Sequence, residues 1–262
     1  MRHCYILSVF TREGAGGNPL GVVTDTTGLD TAAMQSIATG LGFSETVFLD
    51  WTGGGVPRAR IFTPVAEIPF AGHPLVGAGW VLSALGPGTA RRVACGIGEI
   101  PFHLEGGRVF IDVPLPGEVE LVNPGPGMAR LPAAERAWLV RLPLRYLLLE
   151  VAAPATVAGA APDFATLAAA PWEGTLIFAR SGGAVRARFF APAVGVPEDP
   201  ATGSAAVALA GALAFSGEAE GALVIDQGDE VGAPSRLEVR WSGGVVAVGG
   251  GVRRDEVREL AT

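Results

Sequence analysis

The hydrophobic and polar positions of this chain follow the same order twice. RIFTP at residues 60–64 leads into PFAGHP and a run of small residues, and RFFAP at 188–192 leads into PEDPATGSAAVALAGAL. The first arginines of the two copies are 188 − 60 = 128 residues apart, close to half of 262. Each copy predicts a strand of β-branched and aromatic residues, a Pro/Gly turn and an Ala/Gly-rich helix. The repeat predicts two pseudo-symmetric half-barrel domains rather than a solenoid.

The same patterns predict the other elements of each half. In the first half we expect strands over 5–10, 21–23, 45–51 and 56–62, a helix over 31–41, a helix starting near Gly72, and hairpins through Val93, Ile100 and 109–113. In the second half we expect strands over 146–151, 175–178 and 184–190, helices over 162–169 and 203–215, and strands through Ile225, Val239 and Val248. The order is similar in both halves.

The two central helices are apolar almost all round, which is typical of helices that are buried on every side. We therefore predict an α+β fold in which each half is a β-barrel-like sheet around a central helix. The halves are expected at residues 1–115 and 116–262, with the last ten or so residues packing on the N-terminal half. The stretch 114–132 is the richest in proline and glycine and is the predicted linker.

Composition indicates a globular chain, with 49% hydrophobic and 17% charged residues. No run approaches the ~18 apolar residues of a membrane span, and no signal-peptide pattern opens the chain, so we expect a cytoplasmic protein without a membrane partner. The net charge of −7 disfavours a nucleic-acid partner. Two cysteines in a chain of this size are expected to be reduced.

The chain contains no lysine, because all 19 basic residues are arginine. Schiff-base chemistry needs a lysine amine, and a Walker A loop needs a lysine at the phosphates. The sequence therefore excludes pyridoxal phosphate enzymes, imine-forming aldolases and Walker A nucleotide sites. A GC-rich genome or heat adaptation explains the missing lysines, and the exclusion holds in either case.

Glu45 is the first candidate for chemistry, because it lies beside Ser44 directly before an apolar strand. Partial loss of water there raises the pKa of a carboxyl group and makes it a general acid or base near neutrality. A surface or capping glutamate is the alternative interpretation.

His73 follows Gly72 at the start of the first central helix. Free amides and the positive end of the helix dipole could hold a carboxylate or enolate oxygen there. A structural histidine is the alternative.

The start of the second central helix carries Asp199, Thr202, Gly203 and Ser204. A helix cap would explain one of these residues, but not four in succession. We favour an anion site made by the amides of Gly203 and Ser204, with Asp199 as a hydrogen-bond partner. Cys95 is interpreted as a packed cysteine, and neither a dinucleotide fingerprint nor metal-ligand spacing is present, so no metal is expected.

With these residues in place, the sequence resembles the PhzF-like (phenazine biosynthesis) family of the diaminopimelate-epimerase-like superfamily. The resemblance runs nearly end to end. Its motifs are SVFT (8–11), GNPLGVV (17–23), MQSIA (34–38), SETVFL (44–49), RIFTP (60–64) with PFAGHP (69–74), RFFAP (188–192) with EDPATGSA (198–205), and QGDEVGAPS (227–235).

The resemblance implies a cleft between two halves, a homodimer and a cofactor-independent isomerase acting on a small cyclic or unsaturated carboxylate. Glu45 would be the general acid/base, and His73, Asp199 and Ser204 would bind and polarise the substrate. Epimerases of the superfamily use two cysteines as acid and base. We expect Ala71 and Ala201 at the matching positions of this chain, so the two-thiol mechanism is excluded. Ala233 stands where relatives often carry arginine. A non-catalytic carboxylate-binding protein and a cysteine-independent epimerase are the alternatives.

Overall fold

The computed structural model describes residues 2–86, 89–123 and 130–260. The chain divides into two compact units, Met1–Val113 with Gly249–Thr262, and Pro114–Val248. The boundary lies two residues before the expected one, and the C-terminal segment of the first unit begins at Gly249. This segment belongs there because it pairs antiparallel with the first strand, from Arg2↔Leu260 to Thr11↔Gly251.

The first unit contains two helices and eight strands of the described part of the chain, together with most of the last strand. The helices are α1 (Thr31–Leu41) and α2 (Gly72–Ala84). The strands are β1 (Arg2–Thr11), β2 (Asn18–Val23), β3 (Thr46–Asp50), β4 (Arg58–Phe62), β5 (Glu67–Ile68), β6 (Arg92–Cys95), β7 (Gly98–Glu105) and β8 (Arg108–Pro114), and β17 (Val245–Leu260) enters from the second unit.

The second unit contains three α-helices and eight strands among the described residues. The helices are α3 (Pro154–Ala158), α4 (Phe164–Ala168) and α5 (Gly203–Phe215). The strands are β9 (Glu118–Leu121), β10 (Arg136–Arg141), β11 (Arg145–Glu150), β12 (Gly174–Ser181), β13 (Ala184–Ala191), β14 (Val196–Asp199), β15 (Gly221–Gln227) and β16 (Ser235–Ser242).

The strand pairings confirm the internal repeat. In the first unit β1 pairs antiparallel with β2, and β2 pairs parallel with β3. β4 pairs antiparallel with β3 and β5, and parallel with β6. β6 pairs antiparallel with β7. The same sequence of pairings joins β10 to β16 in the second unit. The central helix follows the fifth strand of this series in both units.

Helix α2 is buried along nearly its whole length because strands surround it. A Cβ on Gly77 would lie 2.3 Å from a methyl group of Leu20 on β2, and a Cβ on Gly79 would lie 3.1 Å from Phe102 on β7. The small residues in this helix therefore let strands approach it from different sides. In the second unit α5 is equally buried and contacts β9, β10, β11 and β16.

Helix α1 covers the outer face of the first unit's sheet. Its buried residues Met34 and Ala38 pack with Cys4, Phe48 and Phe62. The helix begins at an aspartate cap, where Asp30 Oδ1 accepts a hydrogen bond from the Ala33 amide at 2.8 Å. This cap and the apolar stripe explain why the bounds predicted from the sequence agree with the observed ones.

The second unit differs from the sequence prediction in three places. The helix predicted over 162–169 is present as α4, with shorter bounds, but the helix before it, α3, was not predicted. Strand β10 was not predicted, although it is the counterpart of β1 in the repeat. The predicted linker over 114–132 contains a strand, β9, which pairs with β10. It also contains Pro116, which packs against α5 at Gly211. Residues 124–129 of the predicted linker lie outside the described residues.

Both cysteines, Cys4 and Cys95, are free. Burial raises the pKa of the Cys4 thiol to about 11, and burial also raises the pKa of Cys95. Neither environment activates a thiol. Within the described residues, no helix is long and apolar enough to span a membrane.

Candidate active site

The first unit brings Glu45 and His73 together. Glu45 is the residue before β3, and His73 is the second residue of α2. Glu45 Oε2 lies 3.6 Å from His73 Nε2, and the two side chains are 18% and 4% exposed. A carboxylate and an imidazole at this separation form a hydrogen bond after a small movement, as catalytic pairs do when a substrate binds.

The Glu45 carboxyl group is largely removed from water. Oε2 is buried and has no hydrogen-bond partner among the residues that the structure describes. Burial raises the pKa of Glu45, and a hydrogen bond from the Ser44 side chain opposes part of this increase. The raised pKa brings a glutamate toward the range in which it can both take and give a proton.

Asn18 connects Ser44 to His73. Its side chain is fully enclosed, with Oδ1 accepting a hydrogen bond from Ser44 Oγ at 3.4 Å and Nδ2 lying 3.5 Å from His73 Nδ1. Ser44 has one hydroxyl hydrogen, so it serves Asn18 and the Glu45 carboxylate alternately. Four polar side chains from β2, α2 and the residues before β3 thus form one cluster.

The two central helices both begin without a side-chain cap. The N-cap residues are Ala71 for α2 and Thr202 for α5, and neither side chain accepts a hydrogen bond from the first turn. In contrast, aspartates cap α1 and α4. The N-cap side chains therefore do not bind the first-turn amides of the central helices, and such amides are the groups with which a helix start binds a ligand oxygen.

In the second unit, Asp199 and Thr202 bind each other instead of capping α5. Thr202 Oγ1 donates to Asp199 Oδ2 at 2.5 Å. Gln227, which is buried on β15, donates through Nε2 to the Asp199 carbonyl at 2.7 Å and to Thr202 Oγ1 at 3.1 Å. These bonds hold the Asp199 carboxylate in a fixed position beside the start of α5.

Ser204 occupies in α5 the position that His73 occupies in α2, the second residue of a helix of 13 residues. Its Oγ lies 3.1 Å from the hydroxyl of Tyr146, near the start of β11. Gly203 precedes it as Gly72 precedes His73. Each unit therefore presents one polar side chain at the same point of its central helix, and a neighbouring strand holds that side chain.

The repeated arginines support both helix starts in the same way. Arg60 makes two hydrogen bonds to Glu67, at 2.8 and 2.6 Å, and lies over the Phe62 ring. Arg188 makes two to Glu198, both at 2.7 Å, and its guanidinium lies 4.9 Å from the centre of the Phe190 ring. Each ion pair ties a strand to the short strand that leads into the central helix.

The sequence matches the model of the phenazine biosynthesis-like protein family, PhzC-PhzF, over residues 7–122 and 133–257. The chain belongs to this family. A relative in the family, the trans-2,3-dihydro-3-hydroxyanthranilate isomerase of Pseudomonas chlororaphis, is 34% identical over 254 residues, which cover 93% of this chain and 91% of the relative. The PhzC-PhzF chain is accordingly an isomerase.

Solved structures confirm the fold class. A PhzF-family protein of Enterococcus faecalis superposes with a TM-score of 0.85 at 25% identity, covering 100% of this chain and 99% of its own. A probable proline racemase of Agrobacterium radiobacter superposes with a TM-score of 0.71 at 10% identity over 100% of this chain and 93% of its own, which is a likeness of fold alone. The PhzC-PhzF chain thus has the expected α+β epimerase-like fold.

The predicted site residues of this PhzC-PhzF chain fall into two clusters. Ser44, Glu45, Gly72 and His73 lie in the first unit, and Asp199, Gly203 and Ser204 lie in the second. That one substrate uses both clusters stays a prediction. Within the described residues, no group of three or more His, Cys, Asp or Glu side chains is arranged to hold a metal ion.

Sequence reasoning missed three polar residues that hold the predicted ones in place: Asn18, Tyr146 and Gln227. Asn18 lies in GNPLGVV and Gln227 in QGDEVGAPS, so the motifs contained a signal for both. Within the repeat, the N-cap residues Ala71 and Thr202 are counterparts, and neither is a cysteine. That Ala71 and Ala201 stand at the positions of the epimerase cysteines stays a prediction.

Proposed function

We propose that this protein is a cofactor-independent isomerase in which Glu45 moves a proton between two carbons of a small unsaturated carboxylic acid. The observation that carries the proposal is the buried Glu45 carboxyl group, with its raised pKa, 3.6 Å from His73 Nε2. A desolvated carboxylate is a stronger base than an exposed one, and with its raised pKa the group can carry the proton from one carbon to the other.

The proposed reaction balances without an external proton source. The Glu45 carboxylate takes a proton from one carbon of the substrate and becomes a carboxylic acid. The electrons of the broken C–H bond move along the conjugated system, a double bond shifts, and a second carbon on the same face takes the proton from Glu45. The enzyme returns to its starting state.

The remaining cluster residues would bind the substrate and stabilise the charge that develops on it. His73 and the first-turn amides of α2, including that of Gly72, are suited to an oxygen of the substrate, because no side chain caps this helix. In the second unit, Gly203 and Ser204 at the start of α5 and the buried Asp199 carboxylate offer hydrogen-bond donors and an acceptor. That these residues bind the same substrate as Glu45 stays a prediction from the sequence.

The named relative suggests the substrate class. Its name gives trans-2,3-dihydro-3-hydroxyanthranilate, a cyclic diene carboxylic acid with amino and hydroxyl groups. We propose a substrate of this class, with a carboxylate for the amide donors and a carbon acid conjugated to a double bond for Glu45.

The test follows proton transfer directly. The purified protein is incubated in deuterated water with trans-2,3-dihydro-3-hydroxyanthranilate and a panel of unsaturated and cyclic amino and hydroxy acids, and carbon-bound deuterium is measured by NMR. We expect deuterium at carbon with the wild type and none with Glu45→Gln.

The matched control is Glu173→Gln. Glu173 is the residue before β12, as Glu45 is before β3, but its carboxylate accepts a hydrogen bond from the Arg145 amide at 2.8 Å. This variant should keep wild-type exchange. Full exchange with Glu45→Gln would reject Glu45 as the acid/base, inversion of a stereocentre would indicate the epimerase, and binding without exchange would indicate the non-catalytic protein.

A cytoplasmic homodimer without nucleic-acid or membrane partners stays a prediction from the sequence. Light scattering on the purified protein measures the mass directly. A mass of one chain, 26.8 kDa, would reject the dimer.

A further inference from the structure

We propose that Asn18 is a positioning residue that holds His73 in the tautomer with its proton on Nε2, so that the N–H group faces Glu45. This inference rests on the proposed function, since it explains how the acid/base pair is prepared for reaction. Neither the sequence motifs nor the family match assigns this role to Asn18.

The orientation of the Asn18 amide carries the inference. The side chain is 1% exposed, and Ser44 Oγ donates a hydrogen bond to its oxygen, Oδ1, at 3.4 Å. The amide nitrogen Nδ2 therefore points to the other side, where it lies 3.5 Å from His73 Nδ1. Because an amide nitrogen is a donor only, a hydrogen bond along this contact has Nδ1 as its acceptor.

A neutral imidazole has one donor and one acceptor nitrogen. If Nδ1 accepts from Asn18, the proton of His73 is on Nε2, the atom 3.6 Å from Glu45 Oε2. An N–H group that faces a carboxylate favours the ionised form, which is the form that takes a proton from carbon. The other tautomer, with its proton on Nδ1, would place the lone pair of His73 Nε2 opposite a lone pair of the Glu45 carboxylate.

The backbone before Asn18 explains why this side chain is held so closely. Gly17 has a φ of 92°, and a Cβ at this position would lie 2.9 Å from the Val9 carbonyl oxygen. Only glycine fits this turn, which brings Asn18 to the first position of β2. From there β2 pairs with both β1 and β3, so Asn18 is placed by a rigid sheet.

The test determines the tautomer without any substrate. Protein labelled with ¹⁵N-histidine is studied above neutral pH by long-range ¹H–¹⁵N correlation, which distinguishes Nδ1–H, Nε2–H and doubly protonated rings. His3→Gln and His103→Gln identify the other two histidines. We expect His73 to show the Nε2–H pattern, and an Nδ1–H pattern would overturn the proposal.

The decisive variant is Asn18→Asp, which keeps the shape and replaces the donor by an acceptor. His73 should then carry a proton on Nδ1, either alone or together with one on Nε2. The chain has one other asparagine, the exposed Asn123, so Asn123→Asp is the matched control and should leave the spectrum unchanged. An unchanged Nε2–H pattern in Asn18→Asp would overturn the proposal.

Kinetics then separate a positioning role from a structural one. Asn18→Asp should lower kcat on the order of 10- to 100-fold and move the acid limb of the pH profile to higher pH. When the ring carries its proton on Nδ1 alone, this shift is expected because the N–H group facing Glu45 is lost while a negative charge is added nearby. Wild-type kcat and a wild-type pH profile in a variant with a changed tautomer would reject the positioning role of Asn18.

Absence of turnover in the wild type would reject the proposed function alone, since the NMR result does not depend on turnover.

Discussion

Glu45 Oε2 and His73 Nε2 face each other at 3.6 Å, although a hairpin and a strand separate the two residues in sequence. Strands β3 and β4 pair antiparallel and return the chain to its starting edge, where α2 begins. The residue before β3 and the second residue of α2 therefore meet. The contact depends on the topology of the first unit, and the proposed chemistry depends on the contact.

The activity should depend on pH through Glu45. Burial raises the pKa of its carboxyl group above the ordinary glutamate value, so the base form is populated only at higher pH than for an exposed glutamate. We expect kcat/KM to fall on the acid side with an apparent pKa above about 4.3, the unperturbed value. A profile that stays flat to that pH would contradict the buried base.

Glu45 should also make the folded protein less stable as pH rises. Because burial raises the pKa of Glu45, folding favours its protonated form. This stabilisation is complete below the pKa that Glu45 has in the unfolded chain, and it is lost as pH rises through the pKa that Glu45 has in the folded protein. Each unit of difference between these pKa values corresponds to about 1.4 kcal/mol. Glu45→Gln removes this loss, so the Tm of the variant relative to the wild type should increase as pH rises above about 4.

Thermal unfolding of both proteins over this pH range checks the prediction. Glu173→Gln is again the control, because its carboxylate accepts a backbone hydrogen bond. A constant difference in Tm between Glu45→Gln and the wild type would show that the Glu45 carboxyl is not desolvated in the folded state.

The two repeated arginines should differ in their effect on stability. Arg188 and Glu198 are 10% and 11% exposed, and Arg188 also donates to the carbonyls of Ala158 and Ala160. Arg188→Met leaves a buried carboxylate without its cation and should cost about 3 kcal/mol.

Arg60→Met is the matched variant in the first repeat. Arg60 and Glu67 are 24% and 38% exposed, so water and salt screen the pair, and the loss should be about 1 kcal/mol or less. Urea unfolding measures both values. Equal losses would mean that burial does not determine the strength of these pairs.

The glycines of α2 should be required for packing. A Cβ on Gly77 would lie 2.3 Å from Leu20 Cδ2 and 3.3 Å from Val9 Cγ2, and both side chains are fully buried. Gly77→Ala should therefore destabilise the protein by about 1–3 kcal/mol.

Gly40 in α1 provides the opposite case. Nothing lies within 4 Å of the Cβ that alanine would add there. Gly40→Ala should raise the stability by up to about 1 kcal/mol, because alanine favours the helix. Thermal unfolding of both variants tests the contrast, and a stabilising Gly77→Ala would show that α2 is not tightly enclosed.

Local signals predicted the elements whose limits are encoded locally. α1 has an aspartate cap and an apolar stripe, and α5 has a run of small apolar residues, so both helices begin and end where the pattern predicted. α3 is short and begins at a proline, and β10 is framed by charged residues, so the local pattern was weak there. The repeat would have predicted β10 as the counterpart of β1.

The sequence by itself determined the duplication, the absence of Schiff-base chemistry and the residues most suited to acid/base work, because residue identity and periodicity are properties of the chain alone. Only the tertiary structure decided which polar groups meet: Glu45 with His73, Asn18 with His73, and Tyr146 with Ser204. These contacts join residues from different strands and helices. Their distances, and the burial that raises the pKa of Glu45, arise only when strand pairing and packing remove water from between them.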